Sequence, residues 1–145
     1  MYPELMIVPM REELTRLGIQ EARTAEQVDQ AVAQPGTTMV IVNSVCGCAA
    51  GKLRPAVRMA LQNAVAKATA PDHMITVFAG QDTDATARAR QHFAGLPPSS
   101  PSIAIMRDGE VVYFMPRFQV ESNNAEGIAA NLAAAFEQHC AKVVQ

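Results

Sequence analysis

The stretch that most constrains the fold is Met39-Val-Ile-Val42, which runs directly into Asn43-Ser-Val-Cys-Gly-Cys48. A short apolar run rich in β-branched residues and bounded by turn formers is too short for a helix. It reads as a buried strand. From about Ala49 the period changes, and Leu53, Val57, Ala60, Leu61, Ala64 and Val65 recur at helical spacing. Pro55 lies inside this segment and is expected to set its first turn or to kink it. The chain thus passes from buried strand to helix through Cys46-Gly47-Cys48.

The flanking sequence extends this pattern. Pro9 suits the first position of a helix that presents Met10, Leu14 and Leu17 on one face and stops at Gly18. Residues 1–8 are then either a lead-in or a kinked extension of the same helix. A short extended stretch is expected over 19–21. Thr24 with Gln27 reads as a capping box that opens a helix, with Val28, Ala31 and Val32 facing the core and Pro35-Gly36 ending it. Beyond Pro71, residues 74–78 form a second apolar, strand-like run. Gly80 breaks it, and Asp82 or Thr83 caps a helix running to about Phe93.

A loop follows over 95–101. The apolar runs 103–106 and 110–114 flank Asp108-Gly109, a strong hairpin signal. Asn123 with Glu126 reads as a last capping box, ahead of an Ile128, Leu132, Phe136 stripe that reaches nearly to Cys140. Alternation of strand and helix implies parallel pairing with crossovers, and the hairpin adds antiparallel strands. The expected architecture is α/β, a central mixed β-sheet with helices on both faces and an N-terminal helical extension, in a single domain over 1–145. The cysteine pair falls at the carboxyl end of a central strand, where open α/β sheets place their ligands.

Charge and composition narrow the function. The formal charge is −2, from 12 basic and 14 acidic residues, which argues against a nucleic-acid groove or an anionic membrane as partner. No apolar run approaches the roughly 20 residues needed to span a bilayer. The first ten residues lack the charged, apolar and cleavage regions of a signal peptide. The expected address is the cytoplasm. There, Cys46, Cys48 and Cys140 are not expected to build a permanent disulfide framework. Reactive thiol chemistry or metal binding is the natural use for them. No motif for a nicotinamide or flavin is readable, so no cofactor is expected and electrons must come from an external reductant.

A cysteine at the start of a helix meets free N–H groups and the positive end of the helix dipole, both of which favour the thiolate. Gly47 permits a sharp bend, and Lys52 and Arg54 bring positive charge nearby. Cys46, first and nearest the strand, is the expected nucleophile on a disulfide, forming a mixed disulfide that Cys48 can resolve. The ring closed by residues two apart is small and strained. If it is too strained, an external low-molecular-weight thiol must resolve the intermediate.

Three other readings stand beside this one. The cysteines can be small apolar residues of a buried turn. They can belong to a metal or iron–sulfur site using Cys46, Cys48 and Cys140. Against that, one compact pair gives two ligands where structural zinc takes four, and His73, His92 and His139 are scattered. Or the chain can be a non-enzymatic redox-sensing domain. Cys140 reads first as packing in a last helical turn, with a distal resolving thiol as the alternative. Ser100-Pro101, just before the hairpin strand, is an ordinary place for proline.

The segments Asn43-Ser-Val-Cys-Gly-Cys-Ala-Ala-Gly51 with Arg54-Pro55, Val77-Phe-Ala-Gly-Gln-Asp82, Pro98-Ser-Ser-Pro-Ser102, and Ala134-Ala-Phe136 through His139-Cys140 together resemble the bacilliredoxin family. The resemblance covers nearly the whole chain. It implies a thioredoxin-like fold and disulfide reductase or isomerase activity. It further implies that Cys46 attacks mixed disulfides between protein cysteines and bacillithiol and carries the small thiol away, with Cys48 as the second motif cysteine. Pro101 matches a cis-proline position, where the carbonyl and amide of the preceding residue, Ser100, align a substrate backbone.

Overall fold

The computed structural model describes residues 1–141; residues 142–145, included in the expected domain, lie outside the described residues. Its elements run α1 (Glu4–Thr15), β1 (Gln20–Glu21), α2 (Ala25–Val32), β2 (Thr37–Asn43), a π-helical turn (Ala49–Leu53), α3 (Arg54–Lys67), β3 (His73–Phe78), α4 (Thr83–His92), β4 (Ser102–Arg107), β5 (Glu110–Met115), α5 (Arg117–Glu121) and α6 (Ala125–His139). The five strands form one sheet in the order β1-β3-β2-β4-β5. β1 and β2 both pair with β3 in parallel, while β4 is antiparallel to β2 and to β5.

Every residue of β2 is buried because the strand is central in the sheet and covered on both faces. Its period-2 alternation divides the core. Met39 and Ile41 pack into a cluster with Leu14 of α1, Leu53 and Val57 around the start of α3, and Leu132 and Phe136 of α6. Val40 and Val42 pack into the opposite cluster with Val28 and Val32 of α2 and Ala85 and Ala89 of α4. The mixed sheet with helices on both faces therefore stands as read from the sequence. In the hairpin, Asp108 and Gly109 have φ of 50° and 88°, the positive pair that a two-residue turn requires.

Several local expectations are corrected. Helix α1 begins at Glu4, so of the two readings of its start the extended helix holds, and Pro9 lies inside it rather than at its first position. Proline there removes one backbone hydrogen bond, and tertiary contacts hold the early turns in place. Ile7 is fully buried. Arg11, 4 % exposed, grips Glu4 at 2.8 Å and the Asp82 carboxylate at 2.7 and 2.9 Å. Its guanidinium also lies 5.3 Å from the Phe78 ring centroid. Asp82 does precede α4, but its carboxylate makes no capping bond, being committed to Arg11. Thr24 accepts from Gln27 N, as a capping box requires, while the Gln27 side chain turns to Arg23 N instead of Thr24 N. The α6 cap is Asn124, accepting from Gly127 N, one residue after the Asn123 expected. Val65 is 74 % exposed, off the core stripe of α3. Helix α5 was not anticipated. No helix among the described residues is long and apolar enough to cross a membrane.

Candidate active site

The antiparallel register of β2 and β4 ends at Val42 opposite Ser102. The chain leaving β2 toward Cys46 and the chain arriving through Ser100-Pro101 therefore leave the sheet at the same point. The Ser100–Pro101 peptide bond is cis.

The loop after β2 is held by a buried network. Asn43 Oδ1 accepts from Ser44 N at 2.9 Å and from Arg54 Nη1 at 3.0 Å, and Asn43 Nδ2 donates to the Met10 carbonyl of α1 at 3.2 Å. Arg54 Nη1 also donates to Ser44 O at 3.0 Å, and its Nε pairs with Glu13. Arg54 is only 4 % exposed, so this cation faces the base of the loop, away from solvent. Gly47 and Cys48 are already helical, and the next residues form the π-helical turn. Arg54 N–H reaches the Ala49 carbonyl, five residues back. The widened turn sits just ahead of Pro55, which cannot donate to a carbonyl four residues back. Pro55 is thus accommodated at the start of α3 without breaking the helix.

Cys46 and Cys48 are half-buried thiols. Ser44 Oγ accepts from Cys46 N at 3.2 Å, leaving its own hydrogen to point at the Cys46 sulfur. Burial opposes ionisation of Cys46. The Ser44 hydroxyl, the backbone N–H groups of Ala49 and Cys48, and the Cys48 thiol together outweigh it and hold the Cys46 thiol below its ordinary range. Cys48 moves the other way. Burial, the Cys46 charge, the hydrogen bond it gives Cys46 and the charge of Glu121 all push it up, with only Arg117 opposing. The two thiols are therefore pushed apart, one toward nucleophile and one toward proton holder.

A first test follows from this split. With rising pH, alkylation of Cys46 is expected to reach half-maximum below the free-thiol value of about 8.5, and that of Cys48 above it. Ser44→Ala removes one donor to the thiolate, so its Cys46 midpoint moves upward. Site-resolved mass spectrometry of the alkylated protein reads both midpoints, and an unmoved Cys46 midpoint in Ser44→Ala removes the hydroxyl from the account.

The two cations expected near the pair take different directions. Arg54 turns inward, while Lys52 Nζ donates to the Glu121 carbonyl at 2.7 Å. The cation whose charge acts on both sulfurs is Arg117, which sequence reasoning missed. Its backbone N donates to Ser99 Oγ at 2.6 Å and its Nη1 to Ser100 O at 3.3 Å. The available signal was Pro116 followed by Arg117 and Glu121 at i,i+4, a one-turn helix signature. Ser44 and Asn43 were also missed as site residues. A serine two residues before a cysteine in a turn is a common local donor or acceptor.

Cys140 lies elsewhere. It is 4 % exposed and packs in the core cluster containing Leu14 and Phe136. His139 O accepts from Arg107, whose register partner is Thr37 at the amino end of β2. Cys46 follows the carboxyl end of that strand, so the two are separated by roughly the length of β2, on the order of 20 Å. His73 meets Pro35 O at 3.3 Å and His92 meets Asp29 at 2.8 Å, each away from the cysteine pair. Among the described residues no group of three or more His, Cys, Asp or Glu is arranged to hold a metal ion.

A family model described as disulphide isomerase matches residues 2–140. A bacilliredoxin of Koribacter versatilis is 57 % identical over 141 residues, covering 97 % of this chain and 94 % of its own. The chain belongs to the bacilliredoxin family. A further bacilliredoxin, from Geobacillus kaustophilus, is 50 % identical over 140 residues, covering 96 % of this chain and 94 % of its own. Solved thioredoxins share the fold. That of Malassezia sympodialis aligns with a TM-score of 0.57 at 16 % identity, covering 85 % of this chain and 91 % of its own. The oxidised Plasmodium falciparum protein aligns with a TM-score of 0.57 at 13 % identity, covering 85 % and 99 %. This bacilliredoxin is accordingly a thiol–disulfide oxidoreductase of thioredoxin-like fold.

Proposed function

We propose that this bacilliredoxin reduces mixed disulfides between protein cysteines and a low-molecular-weight thiol such as bacillithiol, with Cys46 as nucleophile. The observation that carries the reading is the position of Cys46 and Cys48 just past β2 at the start of a helix, where the Ser100–Pro101 loop meets the sheet and Ser44 Oγ lies against Cys46 N; the opposite displacement of the two thiols supports it. In the first step the Cys46 thiolate attacks the sulfur of the small thiol. A new S–S bond forms on Cys46, the old one breaks, and the protein cysteine leaves as a thiolate that takes up a proton.

Capping Cys46 removes its charge and its acceptor sulfur, two of the influences that hold Cys48 protonated. Cys48 then ionises more readily and attacks the Cys46 sulfur, releasing the small thiol and leaving a Cys46–Cys48 disulfide. An external dithiol, or two equivalents of small thiol, supplies the two electrons that restore the pair. Ser100 and Pro101, at the end of β4 nearest the cysteine loop, are the proposed substrate-backbone contact. Cys140 is proposed to serve packing in the core and not resolution of the intermediate. The reading places the protein in the reducing cytoplasm.

Intact-mass spectrometry of Cys48→Ser, mixed with a single-cysteine reporter protein carrying a small-thiol mixed disulfide, tests the order of steps. The small thiol is expected to accumulate on Cys46 as the reporter is released. Wild type instead shows the two-hydrogen loss of an internal disulfide. Release of the reporter with no adduct on Cys46 rules out this route.

A further inference from the structure

We propose that Arg117 is a specificity-determining residue that selects anionic small thiols. It does so by receiving their carboxylate beside Cys46. The inference rests on the mixed-disulfide reading above and adds the charge class of the thiol removed.

Arg117 is held in place by its surroundings. It opens α5 directly after Pro116, its backbone N–H is tied to Ser99 Oγ at 2.6 Å, and its Nη1 reaches Ser100 O at 3.3 Å. These contacts fix the guanidinium to the Pro101 loop, which leaves the sheet beside the cysteine loop. The side chain nonetheless remains 48 % exposed. Its charge acts on both Cys46 and Cys48. An anchored, solvent-open cation on the Pro101 loop, electrostatically linked to both sulfurs, can meet the non-reacting part of a small thiol during attack.

The local charge balance is positive. Glu121 engages only the Nε side of Arg117. Lys52, from the π-helical turn, donates to the Glu121 backbone carbonyl at 2.7 Å rather than to its carboxylate. Arg117 and Glu121 therefore act on the cysteine pair from this side, and Lys52 is drawn onto the same short helix. Arg54 does not contribute to the open face, being buried on Asn43 and Ser44. An arginine fork matches a carboxylate in shape as well as charge. A carboxylate-bearing thiol is attracted to this rim, a neutral one is not, and an amine-bearing one is repelled.

Two readouts test this, one of which needs no turnover. Cys46 is alkylated with iodoacetate, an anion, and with iodoacetamide, its neutral analogue, and the rate ratio is normalised to that of a free small thiol. The ratio cancels changes in thiolate fraction. It is expected to exceed one in wild type, to fall about 5-fold in Arg117→Gln, and to fall less in Arg117→Lys, which keeps the charge. The wild-type preference is expected to shrink with added salt.

In parallel, one single-cysteine reporter protein is loaded in turn with 3-mercaptopropionate, 2-mercaptoethanol and cysteamine. Wild type is expected to release them in that order of rate, and Arg117→Gln to compress the order. Because the reporter is constant, an acidic side chain on the protein substrate cannot produce the order. An unchanged alkylation ratio in Arg117→Gln, or a parallel loss on all three reporters, overturns the proposal. Equal loss in Arg117→Lys and Arg117→Gln places the effect in hydrogen bonding to the Ser100 loop and also overturns it. If the alkylation ratio falls but wild type releases none of the three thiols, the mixed-disulfide reading fails while the anion preference at Cys46 stands.

Discussion

Cys46→Ser is expected to lower mixed-disulfide reduction on the order of 10³-fold or more, to the uncatalysed background. A serine hydroxyl in the same place meets the same donors, Ser44 and the N–H groups of Cys48 and Ala49. It is not appreciably ionised at neutral pH and does not exchange with a disulfide sulfur. Initial rates on the reporter protein, with circular dichroism to verify folding, measure the loss. Cys48→Ser is expected to retain a first turnover and stall at the Cys46 adduct. Cys140→Ser, changed within the core cluster, is expected to keep its rate. Retention of full activity in Cys46→Ser removes Cys46 as the nucleophile, and loss of activity in a well-folded Cys140→Ser restores the distal thiol to the mechanism.

Arg11→Ala is expected to destabilise the fold by about 3–5 kcal/mol, the usual cost of leaving one member of a buried pair without its partner. The Asp82 side chain is 9 % exposed and Arg11 is 4 % exposed. Removing the guanidinium leaves that carboxylate without a cation, with only the Phe78 N–H at 3.3 Å still bonded to it, and also loses the contact with the Phe78 ring and the tie to Glu4. Urea unfolding followed by circular dichroism reads the change as a lowered midpoint. The double variant Arg11→Met, Asp82→Leu is expected to recover much of the loss, since the one carboxylate it leaves, that of Glu4, is 43 % exposed. Arg16→Ala, which removes an exposed i,i+4 pair with Glu12, is the comparison and is expected to cost about 0.5 kcal/mol or less. A cost for Arg11→Ala as small as that of Arg16→Ala would show that the bidentate pair is not what anchors α1.

What the sequence made legible, and what it hid, separate along physical lines. β2, β3 and the β4–β5 hairpin announced themselves because burial on both faces, or a turn needing positive φ, leaves a short-range signature in residue type. The strand–Cys-x-Cys–helix junction was legible for the same reason. Features set by tertiary pairing were not. Asp82 looks like a helix cap, and only the approach of Arg11, distant in sequence, reveals another use for its carboxylate. The start of α1 was left open because proline signals a first turn locally, and Ile7 and Arg11 decide it for the extended helix through contacts elsewhere. Lys52 and Arg54 were equally plausible neighbours of the thiol. The direction of each depends on the π-helical turn, which contains Lys52 and immediately precedes Arg54, and which no periodicity in the residues discloses. Arg117 is far along the chain from Cys46 and joins the site only through the β4–β5 return.

The ties from Asn43 to the Met10 carbonyl and from Arg54 to Glu13 bear on portability. They make the first helix part of the seat on which the nucleophile rests. The Asn43-to-Cys48 segment is therefore not a cassette that can be moved onto a thioredoxin lacking that helix with its reactivity intact. The transplant has to carry α1 and Arg54 with it.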